Sequence, residues 1–229
     1  MTVDGRVAAS IDHRHAGTRA RRVAAAFGRR AAAGVIALLA CVASFAHAQE
    51  APDALVKRVS EEAIAIIKSD PQVQAGDQAR IRSLIETKLA PHFDIDRMTA
   101  LAAGRAYRSA TPEQKKRLGE EFKTLLIRTY SSALNQYRDQ KIETKPLRTE
   151  ANATDVTVRT EVIRPGQQPV HIDYSMTKTP SGWKAYDVIV GGVSLVTNYR
   201  DEFTQQFRAG GMDGLIRSLA EKNAGGAAK

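Results

Sequence analysis

The hydrophobic period of this 229-residue chain changes twice, and this constrains its fold more than any other feature. From about residue 53 to 140, apolar residues recur at helical spacing, as in Phe122 and Leu126. After Lys141 they alternate with polar residues, which is typical of strands with one buried face. Helical spacing returns after a pair of glycines at residue 191. Helices, then antiparallel strands, then helices predict an α+β fold.

Local signals give approximate bounds for these elements. Thr111–Gln114 predicts a helix start, because threonine caps, proline suits the first turn and glutamine can reach back to the cap. Turn-forming residues separate about four strands, which predicts an antiparallel sheet with helices packed on it. We expect this sheet to be curved and to enclose an apolar cavity together with the helices. Helices are predicted to begin at Asp53, Asp77, Ile95, Thr111 and Val193, and strands to span 141–148, 156–163, 170–176 and 183–190.

Residues 1–48 have the pattern of a cleavable signal peptide. Five arginines within residues 19–30 precede an apolar stretch, Ala31–Ala43, that is short for a membrane span. Phe45–Ala48 then supplies a small-x-small site, which predicts cleavage after Ala48 and export. Two alternatives remain open: a lipoprotein box that would leave an acylated Cys41, and twin-arginine export through the two arginine pairs.

Removal of that segment changes the charge of the chain. The full sequence has 34 basic and 25 acidic residues, a net charge of +9. Residues 1–48 hold seven arginines and two aspartates, which leaves 27 basic and 23 acidic residues and a net charge of +4. This excess, without an arginine-rich run, does not indicate nucleic-acid binding. Cys41 is the only cysteine and lies in the predicted signal peptide, so a packed core without a disulfide must stabilise the mature chain. We expect one domain over 49–222, followed by a disordered tail, 223–229.

Three motifs together resemble a known family. Tyr186–Arg200 reads as an apolar strand, a double glycine and an amphipathic helix. With the Phe93–Met98 motif and the Thr111–Gln114 helix start, it is similar to the MlaC, or toluene-tolerance auxiliary, family of periplasmic phospholipid-binding proteins. The resemblance spans residues 53–220 in the expected order. Tyr107 departs from the tryptophan that is more frequent in the family, but a large aromatic side chain is kept.

The resemblance implies a monomeric periplasmic carrier, not an enzyme, in an ABC-type lipid transport system. Such a protein would hold phospholipid as cargo, with no cofactor, and shuttle it between an inner-membrane ABC complex and an outer-membrane lipoprotein complex. This traffic would maintain outer-membrane lipid asymmetry. The candidate acyl-chain residues are Phe122, Leu126, Tyr130, Tyr174, Val188, Val190, Val193, Leu195, Tyr199 and Phe203. The candidate headgroup residues are Arg97, Arg105 and Arg200.

Two other functions remain possible from the residues alone. A small cone-shaped enzyme could use His171 and Asp173, which share one strand face, although no nucleophile, zinc or phosphate-loop motif accompanies them. A non-catalytic envelope adaptor would have a filled core and no ligand. No metal site is predicted, since Asp94 reads as a helix cap and Arg97 as the partner of a carboxylate in an ion pair. Asp187, inside an apolar strand, is interpreted as structural.

Overall fold

The structure is a computed structural model that describes residues 49–134, 140–148, 150 and 152–225. The predicted signal peptide and its cleavage site lie outside the described residues. Residues 135–139, just before the predicted end of the long helix at about Gln140, also lie outside the described residues. All elements below belong to the compact unit that begins at Gln49.

One long helix and two short, N-capped helices begin the described chain. Helix α1 spans Pro52–Ser69, α2 spans Pro71–Gln74 and α3 spans Gln78–Leu84. Asp70 caps α2 and Asp77 caps α3, because each carboxylate accepts two backbone N–H bonds from the first turn.

Asp53 does not cap α1 as predicted. The helix begins one residue earlier, after Ala51, because proline at the first position needs no N–H partner. Asp53 therefore lies in the first turn, where its carboxylate accepts bonds from Ala54 N–H (3.0 Å) and Leu147 N–H (3.4 Å). It ties the helix to the chain that follows the first strand.

After α3 the backbone changes its winding twice. A π-helical turn, Ile85–Leu89, is followed by a 3₁₀ turn, Ala90–His92. Helix α4 then spans Ile95–Ala103, with Asp94 as its cap. The cap confirms the interpretation of Asp94 as structural.

Two helices complete this half of the chain. Helix α5 spans Arg105–Ser109 and α6 spans Pro112–Leu134. Thr111 and Gln114 form the predicted reciprocal cap, with bonds of 3.0 and 3.2 Å between each backbone N–H and the other side chain.

The sheet is an antiparallel meander of five strands in the order β1-β2-β3-β4-β5. This confirms the α+β class but adds a strand to the four expected, and the first strand is shorter than predicted. The strands are β1 Lys141–Thr144, β2 Asp155–Ile163, β3 Val170–Thr179, β4 Gly182–Val190 and β5 Val193–Ser194.

The fifth strand replaces the start of a predicted helix. Gly191 and Gly192 both have positive φ (56° and 85°), the requirement of a tight hairpin turn. The chain therefore doubles back, and Val193 pairs with Val190. A 3₁₀ turn, Thr197–Tyr199, precedes the actual helix.

That last helix, α7, spans Arg200–Gly225 and is kinked at Gly210 and Gly211. Its final turn includes residues 223–225, which were predicted to be part of the disordered tail. The Asn223 side-chain amide explains the difference, because it donates to the backbone carbonyl and the carboxylate of Glu121 on α6. The rest of the predicted tail lies outside the described residues.

One irregularity in the sheet changes which side chains share a face. Met176 pairs with Ala185, but the preceding Ser175 pairs with Asp187, so β4 carries one extra residue at this point. Beyond this bulge Val188 pairs with Tyr174 and comes to the same face as Ala185. The bulge thus turns Val188 toward the helices.

Among the described residues, buried apolar side chains form three clusters. The largest joins α4, α6 and α7, and its centre is the ring cluster, which we define as Phe122, Tyr199 and Phe203, with ring centroids 5.1–5.9 Å apart. A second cluster packs α1 on the sheet through Leu55, Val56, Val158, Met176 and Trp183. A third holds α1, α2 and α3 together through Ile67, Val73, Ile81 and Leu84.

Candidate functional site

An open apolar cavity of about 180 Å³ lies on the side of α6 that faces the π-helical turn and the β4–β5 hairpin. Among the described residues that line it, Lys123 is the only charged one. The lining residues are Ile85, Leu89, Ala90, Phe93, Ile95, Met98, Lys123, Leu126, Ile127, Tyr130, Val188 and Leu195.

The wall formed by residues 85–93 depends on irregular backbone. Ile85 and Leu89, the first and last residues of the π-helical turn, both line the cavity. Phe93 then bridges to Ala185 of β4, and the next N–H, that of Asp94, donates to the Ala185 carbonyl at 2.8 Å. These two contacts fix the end of the wall to the sheet.

The opposite wall is one face of α6. It carries four lining residues, each three or four positions from two of the others, and these therefore lie on one side of the helix: Lys123, Leu126, Ile127 and Tyr130. Phe122 points into the ring cluster on another side. The same helix thus contacts the cavity and the solid core.

Asp187 holds the hairpin wall in place. Its side chain is only 7% exposed. Its carboxylate accepts bonds from the Ser194 hydroxyl (2.6 Å) and from the N–H groups of Val188 (2.8 Å) and Val196 (3.3 Å). Leu195 N–H also donates to the Val188 carbonyl at 2.8 Å. Asp187 is therefore structural, as interpreted from the sequence, and it positions two lining side chains.

Tyr130 brings a hydroxyl to the cavity lining. Burial raises the pKa of Tyr130 to about 12, and the neighbouring Tyr199 hydroxyl adds to the effect. The phenol therefore stays neutral at physiological pH. It offers a hydrogen bond but no charge to a bound molecule.

The structure brings four of the ten acyl-chain candidates together in the cavity lining: Leu126, Tyr130, Val188 and Leu195. The other six lie elsewhere. Tyr174 packs beside the cluster between α1 and the sheet, Val190 is half-buried, and Val193 is 57% exposed. The remaining three form the ring cluster, Phe122, Tyr199 and Phe203.

Sequence reasoning missed most of the first wall. Ile85 and Leu89 were assigned to an ordinary amphipathic helix, and a π-helical turn leaves no mark in the hydrophobic period. Lys123 was not singled out either. Its position at three- and four-residue steps from Leu126 and Ile127 was the available signal, because it places a charge within an apolar face.

The three headgroup candidates do not line the cavity. Arg97 pairs with Asp155 at 2.6 Å and lies over the ring of Tyr186, 3.5 Å from its centroid. Arg200 donates two bonds to the Leu101 carbonyl, at 3.0 and 3.2 Å. Arg105 shares a separate groove of about 760 Å³ with Arg200.

The catalytic alternative receives no support from this geometry. His171 has a 68% exposed side chain that faces Glu161 at 3.7 Å, and neither His171 nor Asp173 lines the cavity. Within the described ranges, no group of three His, Cys, Asp or Glu side chains is placed to hold a metal ion. Across the same ranges, no helix has the length and hydropathy needed to cross a membrane.

Fold and site together define the class: a small α+β protein whose sheet and helices enclose an open apolar cavity of the kind that receives hydrophobic ligands. Comparison with known proteins narrows this class. The model of the MlaC protein family matches residues 57–221. The chain belongs to the MlaC family.

Individual relatives agree with this assignment. The chain is 25% identical to toluene tolerance protein ttg2D of Pseudomonas putida, over 79% of this chain and 84% of that protein. It is 23% identical to the intermembrane phospholipid transport system binding protein MlaC of Haemophilus influenzae, over 77% and 84%. A phospholipid-binding protein from Ralstonia solanacearum, solved in complex with a phospholipid, is 39% identical, with a TM-score of 0.71 over 76% of this chain and 98% of that one.

Proposed function

We propose that this protein is a periplasmic carrier that holds the acyl chains of a phospholipid in its apolar cavity. The observation that carries the proposal is the cavity itself, lined by apolar side chains from α4, α6, the β4–β5 hairpin and the 85–93 wall. Support comes from the 39% identical Ralstonia protein, which was solved with a phospholipid bound.

The energetics of lipid transfer explain why such a cavity is needed. Removing methylenes from water gains about 0.8 kcal/mol each, so a diacyl lipid gains on the order of 20 kcal/mol. A lipid in a bilayer already has this gain. Transfer to the protein is therefore an exchange between two apolar environments, and the cavity has to shield the tails nearly as well as the membrane does.

The walls of the cavity separate when lipid enters. About 180 Å³ is less than the roughly 300–1,000 Å³ of usual small-molecule sites. The 85–93 wall is the part best suited to move, because it consists of a π-helical and a 3₁₀ turn rather than one regular helix. Its lining residues Ile85 and Leu89 are only half-buried.

The carrier exchanges lipid with an inner-membrane ABC complex and an outer-membrane lipoprotein complex, and so maintains the lipid asymmetry of the outer membrane. Docking at each complex is needed, because passage through water would expose the tails. Adding purified ABC complex in vesicles to the lipid-loaded protein should change the fraction of protein that carries lipid. An unchanged fraction, with the two proteins shown to bind, would contradict this part of the proposal.

Native mass spectrometry of the exported protein, purified without added lipid, tests the central claim. We expect bound masses that match phospholipids. Val188→Glu should abolish them, because it places a charge on the cavity lining. Val193→Glu is the matched control, since Val193 lies on the same hairpin but is exposed. A lipid-free wild type, or full retention of lipid by Val188→Glu, would contradict the carrier function.

A further inference from the structure

A polar groove of about 420 Å³ adjoins the apolar cavity. The two share the lining residues Ile95 and Lys123, so they border each other at these side chains. The groove lies between α4, α5 and the first half of α6. Its charged walls carry three lysines and two carboxylates: Lys115, Lys116, Lys123, Asp96 and Glu120.

A single face of α6 is polar at one end and apolar at the other. Lys116, Gly119 and Lys123 line the groove, and the same face continues into the cavity with Leu126 and Tyr130. The steps along this face are three, four, three and four residues, which keeps all five positions in line. Such a face matches a ligand that has a polar end and a hydrocarbon end.

Lys123 stands at the junction of the two compartments. It lines both, and it is half-buried. A lysine can cover apolar surface with its methylene stem while its ammonium group stays in a polar environment. Here the stem borders the cavity of Leu126 and Ile127, and the groove is the polar space within reach of the ammonium group.

The lysines of the groove are available to an anion. In the described part of the chain, no carboxylate lies within 4.0 Å of the ammonium groups of Lys115, Lys116 or Lys123. Lys115 lies over the Tyr107 ring, 5.2 Å from its centroid. With two carboxylates on the same walls the lining carries one net positive charge, which complements one phosphodiester.

We propose that this groove binds the phosphodiester of the phospholipid whose tails occupy the cavity, with Lys123 as its main contact and Lys116 beside it. Lys116 and Lys123 are two helical turns apart, about 10 Å, so both flexible side chains reach one phosphate between them. The proposal rests on the proposed function. It replaces the arginines expected from the sequence with lysines of α6.

Two lipids that differ only in the headgroup separate this proposal from the proposed function. Native mass spectrometry would follow uptake of dioleoyl phosphatidylglycerol and of dioleoylglycerol, which lacks the phosphate, from phosphatidylcholine vesicles. We expect the wild type to prefer the phospholipid. Lys123→Met should lower phospholipid uptake by about tenfold, as for loss of one charge-assisted hydrogen bond, and leave dioleoylglycerol uptake unchanged.

Two further variants keep the result interpretable. Lys123→Arg should restore phospholipid uptake, because it keeps the charge. Lys57→Met, at an exposed lysine of α1, should change neither uptake. Unchanged phospholipid uptake by Lys123→Met, or an equal loss of both lipids, would overturn the headgroup site. A wild type that takes up neither lipid would refute the carrier function instead.

Inorganic phosphate distinguishes a lipid headgroup from the free anion. Titration of the lipid-free wild type with millimolar phosphate, followed by NMR shifts of the lysine side chains, should show no saturable binding, because the tails supply most of the affinity. Saturable phosphate binding that Lys123→Met removes, without any effect of that change on phospholipid uptake, would assign the groove to free phosphate and overturn the proposal.

Discussion

Helix α6 contacts two regions that are built from the same residue types but packed differently. Around Phe122 the rings of Tyr199 and Phe203 meet it at steep angles, 79° and 72°, and all three side chains are buried. Around Leu126 and Tyr130 the side chains of the opposite wall do not reach α6, and the cavity lies between them. Apolar composition therefore does not decide whether a helix face is filled; the position of the opposite wall does.

This difference separates stability from binding. A filled cluster gains dispersion contacts on every side, whereas side chains that border a hollow lack partners there. We therefore expect changes in the ring cluster to act mainly on the free energy of unfolding. Changes on the cavity face should act mainly on lipid retention.

The largest expected effect is the loss of a central ring. Phe203→Ala should lower the free energy of unfolding by about 3–5 kcal/mol, because it leaves a hole among side chains that cannot close it. Urea denaturation of the lipid-free protein measures this loss. Val193→Ala, at an exposed position, is the control. A loss below about 1 kcal/mol would mean that the cluster is not packed as described.

Filling the cavity should have the opposite effect, with a large loss of lipid retention and a small loss of stability. Leu126→Trp would fill the space proposed for the acyl chains. Lipid retention should therefore fall by at least about tenfold, while the lipid-free protein loses less than about 1.5 kcal/mol of stability. Lipid extracted per mole of protein gives the first quantity and urea denaturation the second. Equal lipid content in Leu126→Trp and wild type would erase the distinction between the two faces.

A different effect, on both stability and lipid release, is expected from the bond that holds the hairpin wall. Ser194→Ala removes the 2.6 Å bond to the buried Asp187 carboxylate and should cost about 1.5–3 kcal/mol. Because Leu195 is adjacent, lipid dissociation should also become faster. Stopped-flow transfer of a fluorescent lipid to vesicles measures that rate, and Ser181→Ala, in an exposed turn of the sheet, is the control.

The smallest effect concerns His92, which is part of the 85–93 wall. Burial lowers the pKa of His92, with help from Arg58 and Lys184 and against the carboxylates Glu50 and Glu62. Because the pKa of His92 is lower in the folded protein than in the unfolded chain, the unfolded chain binds more protons at pH values just below about 6.5, the ordinary histidine pKa. The free energy of unfolding therefore decreases as pH falls through about 6.5.

The substitution His92→Gln should reduce this pH-dependent loss in the free energy of unfolding. The difference should be well under about 1 kcal/mol, because solvent screens the partly exposed ring. Urea denaturation between pH 5 and 7.5 measures it. His171→Gln is the control, since that ring is largely exposed. A steeper decrease in His92→Gln would show that the sign is wrong.

Much of the fold follows from local signals in the sequence. The Thr111–Gln114 cap and the alternation in β2, β3 and β4 are short-range features, so they predict the elements directly. The fifth strand was missed because two glycines read equally well as a break before a helix and as a hairpin turn. Only pairing with Val190, a contact across the turn, decides between them.

The site was predicted less completely for a related reason. Leu126 and Phe122 carry the same apolar signal, and the helical period does not distinguish a side chain that lines a hollow from one that fills a core. The β4 bulge that turns Val188 toward the helices has no sequence mark either. Whether the four lining candidates touch lipid stays a prediction.

The outer strands β1 and β5 have only four and two residues, so the exposed borders of the sheet are short. Backbone groups left unpaired along such a border are a template on which a second chain can add its own strand. A carrier of the kind proposed, which would part its walls and expose apolar surface, would be at particular risk of binding to its own copies. Brief border strands remove one of the routes by which a crowded population of such proteins would form insoluble aggregates.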